Sequence, residues 1–406
     1  MKSIHSNHPS LKFAVALGAI GALGPSAVDM YLPSLPEMAV EYSASVASIQ
    51  LTLTVFLLAM GLGQLLFGPV VDAWGRRRPL IAGLVLFSVS ALVAGAASTL
   101  DWLLLARFVQ GLGSALTLVV IMSMVRDVTQ GVQAAKLFGL LMTIEGVAPI
   151  IAPALGGYID AHFGWRAVMV VLAALGTLVA VNSMVVLRET LPVNKREPLN
   201  FKRAMRTYAR IAQDLRFLQP AMALSAVFFF LFAYIGGATF IYQNDFGLPA
   251  AQFGTLFGAT GIAILVGASL AAKLVGKYGL ATLAVAGSCC IGGGALIACA
   301  AAAAGLGLYW LVAGVALALL GVGIAETTLM TLVMSSQTTA LGSTAALLGA
   351  FQLGISACAT PLTGLVSNHG ATAWGGLLVL CAAVVGLLTW ISVRQGKADQ
   401  ITALNH

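Results

Sequence analysis

The sequence predicts an all-α, polytopic membrane protein with twelve transmembrane helices in two pseudo-symmetric six-helix bundles. Three observations predict it: an apolar composition, twelve apolar stretches of spanning length, and a weak internal repeat about half the chain apart. Of 406 residues, 59% are hydrophobic and 9% charged, whereas a soluble domain carries about 25% charged residues. So little charge cannot clothe a water-soluble surface of this size. Lipid is the solvent for most of the chain.

A spanning helix needs about 20 mostly apolar residues, because the hydrocarbon layer is about 30 Å thick and a helix rises about 1.5 Å per residue. Such stretches lie near residues 12–34, 47–72, 79–98, 101–125, 133–159 and 164–187, and again near 217–244, 250–275, 279–303, 306–334, 340–367 and 371–393. The first ten residues, MKSIHSNHPS, are polar, and the apolar run after them reaches from Leu11 to Ser34. It is too long for a signal-peptide core, carries Asp29 and lacks a small-residue cleavage site, so it reads as a retained span. The cysteines, Cys289, Cys290, Cys299, Cys358 and Cys381, are odd in number and lie in apolar spans without ligand-like spacing. They read as packing residues rather than a disulfide framework or metal site.

When alternate loops are assigned to opposite sides, 19 of the 21 Lys and Arg fall on one side, leaving Arg107 and Arg166 apart. The positive-inside bias makes that side cytoplasmic and places both termini there. The densest group, from Arg188 to Arg216, joins the two halves. Its basic residues around Phe201, Met205, Tyr208 and Ile211 suit a helix on an anionic lipid surface. The net charge of +7 is therefore a topology signal, and no basic, aromatic groove for nucleic acid can form on so short a segment.

The repeat places DAWGRRRPLIAG (Asp72 to Gly83) over GKYGLATLAVAG (Gly276 to Gly287), GLGSA from Gly111 over GVGIA from Gly321, and PALGG from Pro153 over PLTGL from Pro361. Three matches in one order, with offsets between 204 and 210, imply a duplicated six-helix unit. Residues 1–188 form the N-terminal half, 189–215 the cytoplasmic linker and 216–406 the C-terminal half.

Four groups of residues carry the chemistry. Between spans two and three, Gly68, Asp72, Gly75, Arg76 and Arg77 lie at a tight turn where the arginines can reach carboxylates or free helix-end carbonyls and latch one conformation. The alternative is a plain topology anchor. In span four Arg107 lies about 9 Å inside the boundary opposite the cytoplasm, beside Gln110 and Gly111, and Asp29 of span one lies about 7 Å below the same boundary. Two opposite charges at matched depth are natural partners, and an intramembrane carboxylate is a candidate proton carrier; a purely structural ion pair is the alternative. In span five Gly146, Pro149, Pro153, Gly156 and Gly157 suit a bending or sliding seam, and Glu145 is a second proton or substrate candidate. Glu326 of span ten is a third. Tyr31, Tyr234, Phe230, Asp29 and Gln110 are candidate cavity-lining residues, although aromatic residues in spans more often pack.

With these motifs in view, the chain resembles the major facilitator superfamily, and within it the Bcr/CflA-like subfamily of drug/proton antiporters. The stretch from Asp29 to Pro36 (DMYLPSLP) resembles that subfamily at the end of span one. Gly68 to Arg78 resembles the superfamily's loop motif; Arg107, Gln110, Gly111 and Gly113 its span-four motif; Gly146 to Gly157 the antiporter motif, with Ala148-Pro149 where Gly-Pro is usual. The resemblance implies efflux of amphiphilic compounds in exchange for protons, with Asp29 as coupling acid and Arg107 beside it, driven by the proton gradient without a cofactor. It implies a bacterial inner membrane and a functional monomer. An acid found in some similar exporters one or two turns before Asp29 is replaced here by the Gly21-Ala22-Gly24 region. Export of an endogenous metabolite, such as a purine, sugar or amino-acid derivative, is the alternative on the same scaffold. An enzyme is disfavoured: all five histidines (His5, His8, His162, His369, His406) lie outside the spans or near their ends, and no Walker-type loop is present.

Overall fold

The computed structural model describes residues 11–129, 131–337 and 340–404; the polar first ten residues lie outside them. The described residues contain twelve helices long and apolar enough to cross a membrane, and no strand. Their bounds follow the hydropathy, from Leu11–Glu41 through Gly370–Arg394. The face carrying the loops after spans two, four, six, eight and ten is termed the basic face.

Local chemistry sets the ends. Ser45 Oγ accepts the Ser48 N–H at 3.1 Å and opens span two (Val46–Trp74), satisfying one of the unpaired N–H groups of a helix start. That span stops at Gly75, whose φ of 85° only glycine adopts without strain. Its repeat counterpart, Gly279 after span eight (Ala250–Tyr278), has φ 77°. The glycines matched by the repeat therefore make the same turn.

Span one is broken. Leu11–Gly21 and Leu23–Asp29 are α-helical, Leu32–Ser34 is a 3₁₀ turn, and Leu35–Glu41 resumes the helix. Pro33 explains the break, because it has no N–H to bond the carbonyl of Asp29 four residues earlier and its ring crowds that carbonyl. Asp29 thus ends a helical segment beside a joint.

Within the first six spans, two packs on four, three on four and three on six; within the last six, nine packs on ten, nine on twelve and eight on ten. Spans five and eight, and two and eleven, join one group to the other. Apolar side chains left uncovered, such as Val85, Val89 and Leu92 on span three or Leu380, Val384 and Leu387 on span twelve, recur at helical spacing and form lipid-facing stripes. The linker contains a helix, Phe201–Gln213, capped by Asn200 Oδ1, which accepts the Arg203 N–H at 2.8 Å. Tyr208 and Ile211 are buried on the protein, whereas Phe201 and Met205 stay exposed.

Candidate functional site

Arg107 is fully buried in span four (Leu100–Val128). Its Nη2 donates to the Ala27 carbonyl at 2.8 Å and its Nη1 to Gln110 Oε1 at 2.6 Å. The guanidinium lies 4.3 Å from the Tyr31 ring centre and 4.6 Å from that of Phe56. A planar cation is thereby gripped at its edge by oxygens and on its faces by rings. Tyr31 is itself fixed: Thr52 gives its only hydroxyl proton to the Ile49 carbonyl at 2.6 Å, so Tyr31 Oη donates to Thr52 Oγ1 at 3.0 Å. Arg107 Nε and Gln110 Nε2 are left without acceptors.

The Asp29 carboxyl is buried, and no ion pair to it exists among the described residues. The expected Asp29–Arg107 pair is therefore absent in this conformation. The depth match was sound, since Arg107 reaches the main chain of span one at Ala27. Residues two apart on a helix, however, point about 200° apart, so the Asp29 side chain leaves in another direction. It comes within electrostatic range of Tyr234, on span seven of the other half.

Tyr234 belongs to an aromatic wall. Its ring stacks on Phe257 with centres 5.4 Å apart and planes 3° from parallel, and its hydroxyl is 2.9 Å from Thr260 Oγ1, which donates onward to the Phe257 carbonyl at 2.7 Å. Trp374 lies 6.4 Å from Tyr234 and 6.3 Å from Tyr242, with its Nε1 donating to the Ala233 carbonyl at 3.1 Å. Phe230, predicted with Tyr234 as a cavity residue, lies one helical turn before it, and the two together line a narrow void with Ala295, Ala298, Val315, Ala318 and Leu378, inside the second half and too tight for water.

Glu145 is half-buried in span five, and its carboxyl occupies the space a Cβ at Gly21 would need. Gly21 of span one thus makes room for an acid from span five. Glu326 is half-buried one turn beyond Gly323, which packs on the Ile264 carbonyl of span eight. Neither acid has an ion-pair partner among the described residues.

The halves meet through hydrogen bonds and bare backbone. Far from the basic face, Gln50 Nε2 donates to the Gly236 carbonyl at 2.9 Å, Gln243 Nε2 to the Pro33 carbonyl at 3.0 Å, and Thr54 and Thr360 hydroxyls are 2.8 Å apart. Gly157 sits against the Ala250 carbonyl of span eight, whereas Gly156 packs within the first half, against the Met30 carbonyl of span one. Span eight answers in kind, with Gly254 and Gly258 against the Pro153 and Ile150 carbonyls. Gly146 meets the Leu265 side chain, and the Pro149 carbonyl lies beside Gly261. The span-five motif is a glycine seam between the halves, the close approach that small residues permit.

At the basic face Arg76 is buried and bonds Asp72 at 2.7 Å, Asp127 of span four at 2.9 Å and the Val71 carbonyl at 2.9 Å. Glu189 accepts backbone N–H groups of Arg76 at 2.9 Å, Leu191 at 3.0 Å and Arg77 at 3.3 Å, while Arg77 Nη2 donates to the Met184 carbonyl at 2.9 Å. Burial opposes ionisation of Glu189, but these N–H groups and Arg196 outweigh it and hold its carboxyl below the ordinary range. A lowered carboxylate pKa stabilises the fold above that range, and the benefit is lost as pH falls through the folded value. The latch residues thus bond within the first half; Gly68, the fifth of them, lies beside the Tyr208 hydroxyl of the linker. Because Gly75 has positive φ and a Cβ there would lie 2.5 Å from Glu189 Oε2, Gly75→Ala is expected to cost about 1–3 kcal/mol, read as a lowered unfolding temperature of the purified protein.

Residues 17–361 match the Major Facilitator Superfamily. The chain belongs to the major facilitator superfamily. The uncharacterized MFS-type transporter YdgK of Bacillus subtilis (strain 168) is 34% identical over 399 residues, covering 96% of this chain and 97% of YdgK. A bicyclomycin resistance protein homolog of Haemophilus influenzae (strain ATCC 51907 / DSM 11121 / KW20 / Rd) is 31% identical, covering 67% of this chain and 68% of that protein. Among solved structures, a POT family transporter in complex with a thioalcohol-conjugated peptide superposes with a TM-score of 0.75 at 13% identity, covering 95% of this chain and 96% of the other. As a member of the superfamily the chain is a multi-pass membrane transporter, of a type that handles small-molecule substrates.

The sequence reading missed Gln50, Thr54 and Gln64 in span two, which meet Gly236, Thr360 and Gly349 of the other half. Their spacing of four and ten residues puts all three on one face of a mostly apolar helix, a legible signal of a polar seam. Asp127, Glu189, Tyr242 and Trp374 carried no comparable signal, because their partners come from distant spans.

Proposed function

We propose that this transporter is a proton-coupled exporter of small amphiphilic compounds, working as a monomer in the bacterial inner membrane with both termini in the cytoplasm. The observation carrying this reading is the Asp29 carboxyl at the joint of span one, buried with no ion-pair partner among the described residues and within electrostatic range of Tyr234 in the other half. An ionised carboxylate buried without a counter-ion is costly, so closing the end opposite the basic face around Asp29 and loading it with a proton go together. Opening the other way hydrates the site, releases the proton and leaves a carboxylate that a substrate's polar or cationic end can meet. Tyr234, Phe257 and Trp374 supply the apolar surface for the rest of the molecule.

In this cycle Arg107 keeps span one docked on span four through Ala27 and Tyr31 rather than neutralising Asp29 directly. Glu145 is a second carboxyl for proton or substrate, held where Gly21 leaves space. The glycine seam of spans five and eight and the loop latch at Arg76 favour alternating access by rocking of the halves. The relative named for bicyclomycin resistance supports drug efflux; export of an endogenous metabolite is the second reading, since the aromatic wall suits a purine equally.

The test is a panel of antibiotic susceptibilities and released metabolites for cells expressing the protein, with and without a proton gradient. Raised resistance that vanishes when the gradient is collapsed supports drug export. Unchanged susceptibility with gradient-dependent release of a metabolite replaces it with the second reading. Export that persists after collapse overturns proton coupling.

A further inference from the structure

The linker helix Phe201–Gln213 has three sides. One is docked on the protein: Tyr208 Oη donates to the Leu65 carbonyl of span two at 3.3 Å beside Gly68, Ile211 is buried, and the helix also packs on spans seven and eleven. At 100° per residue, Phe201 and Met205 fall along a second side, where they are 40% and 42% exposed. Lys202, Arg206 and Arg210, four residues apart, fall on a third. The helix contains no acidic residue. Arg203 is paired with Glu197 at 3.1 Å, whereas Lys202, Arg206 and Arg210 have no ion-pair partner among the described residues.

A helix surrounded by water gains nothing from showing a phenyl ring and a thioether one turn apart beside a basic row. A helix at the edge of a bilayer does: the apolar flank enters the acyl boundary and the cations meet phosphates. Each such cation adds to the attraction toward an anionic leaflet. The segment is also tied at both ends. The Glu197 N–H donates to the Asp72 carbonyl at 3.3 Å in the first half, and Asp214 accepts Gln337 Nε2 at 2.7 Å from beyond span ten in the second.

We propose that the linker helix is a seat for anionic phospholipid headgroups of the leaflet on the basic face, and that lipid held there braces the two halves across spans two and eleven. Lys202, Arg206 and Arg210 bind the phosphates, Phe201 and Met205 anchor among the acyl chains, and Tyr208 carries the restraint to span two.

The test needs no transported substrate, so it stands apart from the efflux reading. Thermal unfolding of the detergent-purified protein is followed with added phosphatidylglycerol or phosphatidylcholine. Phosphatidylglycerol is expected to raise the midpoint by about 3 °C or more over phosphatidylcholine. The triple variant Lys202→Gln, Arg206→Gln, Arg210→Gln should lose most of that difference. In parallel, amide hydrogen exchange of residues 201–213 in the unaltered protein should slow with phosphatidylglycerol only. Equal stabilisation by both lipids, full retention of the difference by the triple variant, or unchanged exchange in that segment would each overturn the proposal.

Discussion

Asp29→Asn is expected to reduce substrate-induced proton movement in proteoliposomes to the level of empty vesicles. The amide keeps the size and polarity of the carboxyl but cannot carry a proton. Since Asp29 has no ion-pair partner among the described residues, its replacement leaves no orphaned cation, and the variant should fold. Substrate exchange that needs no proton, measured as counterflow in the same vesicles, should survive. That combination separates a coupling residue from a structural one. Undiminished antiport by Asp29→Asn would move the coupling role to Glu145, for which Glu145→Gln is the corresponding test.

Arg107→Lys is the second substitution of large effect, and its conservative appearance is misleading. A guanidinium can lie flat between Tyr31 and Phe56 while its edge serves Ala27 and Gln110 at once. An ammonium is a compact point charge on a flexible stem and cannot do both. Losing one charged hydrogen bond costs about 1.5–3 kcal/mol, and each 1.4 kcal/mol is about tenfold in a population. Transport by Arg107→Lys should therefore fall by at least about tenfold, with a lower unfolding temperature, while expression in the membrane persists. An Arg107→Lys protein with ordinary transport would mean that docking of span one on span four does not limit the cycle.

The contrast between these residues marks what sequence can and cannot convey. Hydropathy located every span, because the length needed to cross lipid is a one-dimensional property of the chain. Depth along a helix is also one-dimensional, which is why Asp29 and Arg107 were matched in level. Rotation is not: whether Asp29 or the Ala27 carbonyl meets Arg107 depends on azimuth, and the proline joint at Pro33 makes azimuth in span one hard to extrapolate. Phe230 and Tyr234 were grouped soundly by their four-residue spacing, since both line one narrow void inside the second half. Asp72 and Arg76 were legible because they lie close together across one tight turn, whereas Asp127 and Glu189 reach Arg76 only through packing of spans four and six.

The glycine seam bears on how the halves move. Most helix interfaces interlock like gear teeth, and to slide them every side chain must leave its hole and find another. Along spans five and eight, Gly157, Gly254 and Gly258 set bare main chain against carbonyls, so there are few teeth to disengage. Such a surface is closer to a plain bearing: it resists separation yet offers little friction to tilting. In the proposed cycle, the resistance to opening then comes more from the hydrogen bonds of Gln50 and Gln243 than from the long contact between spans five and eight.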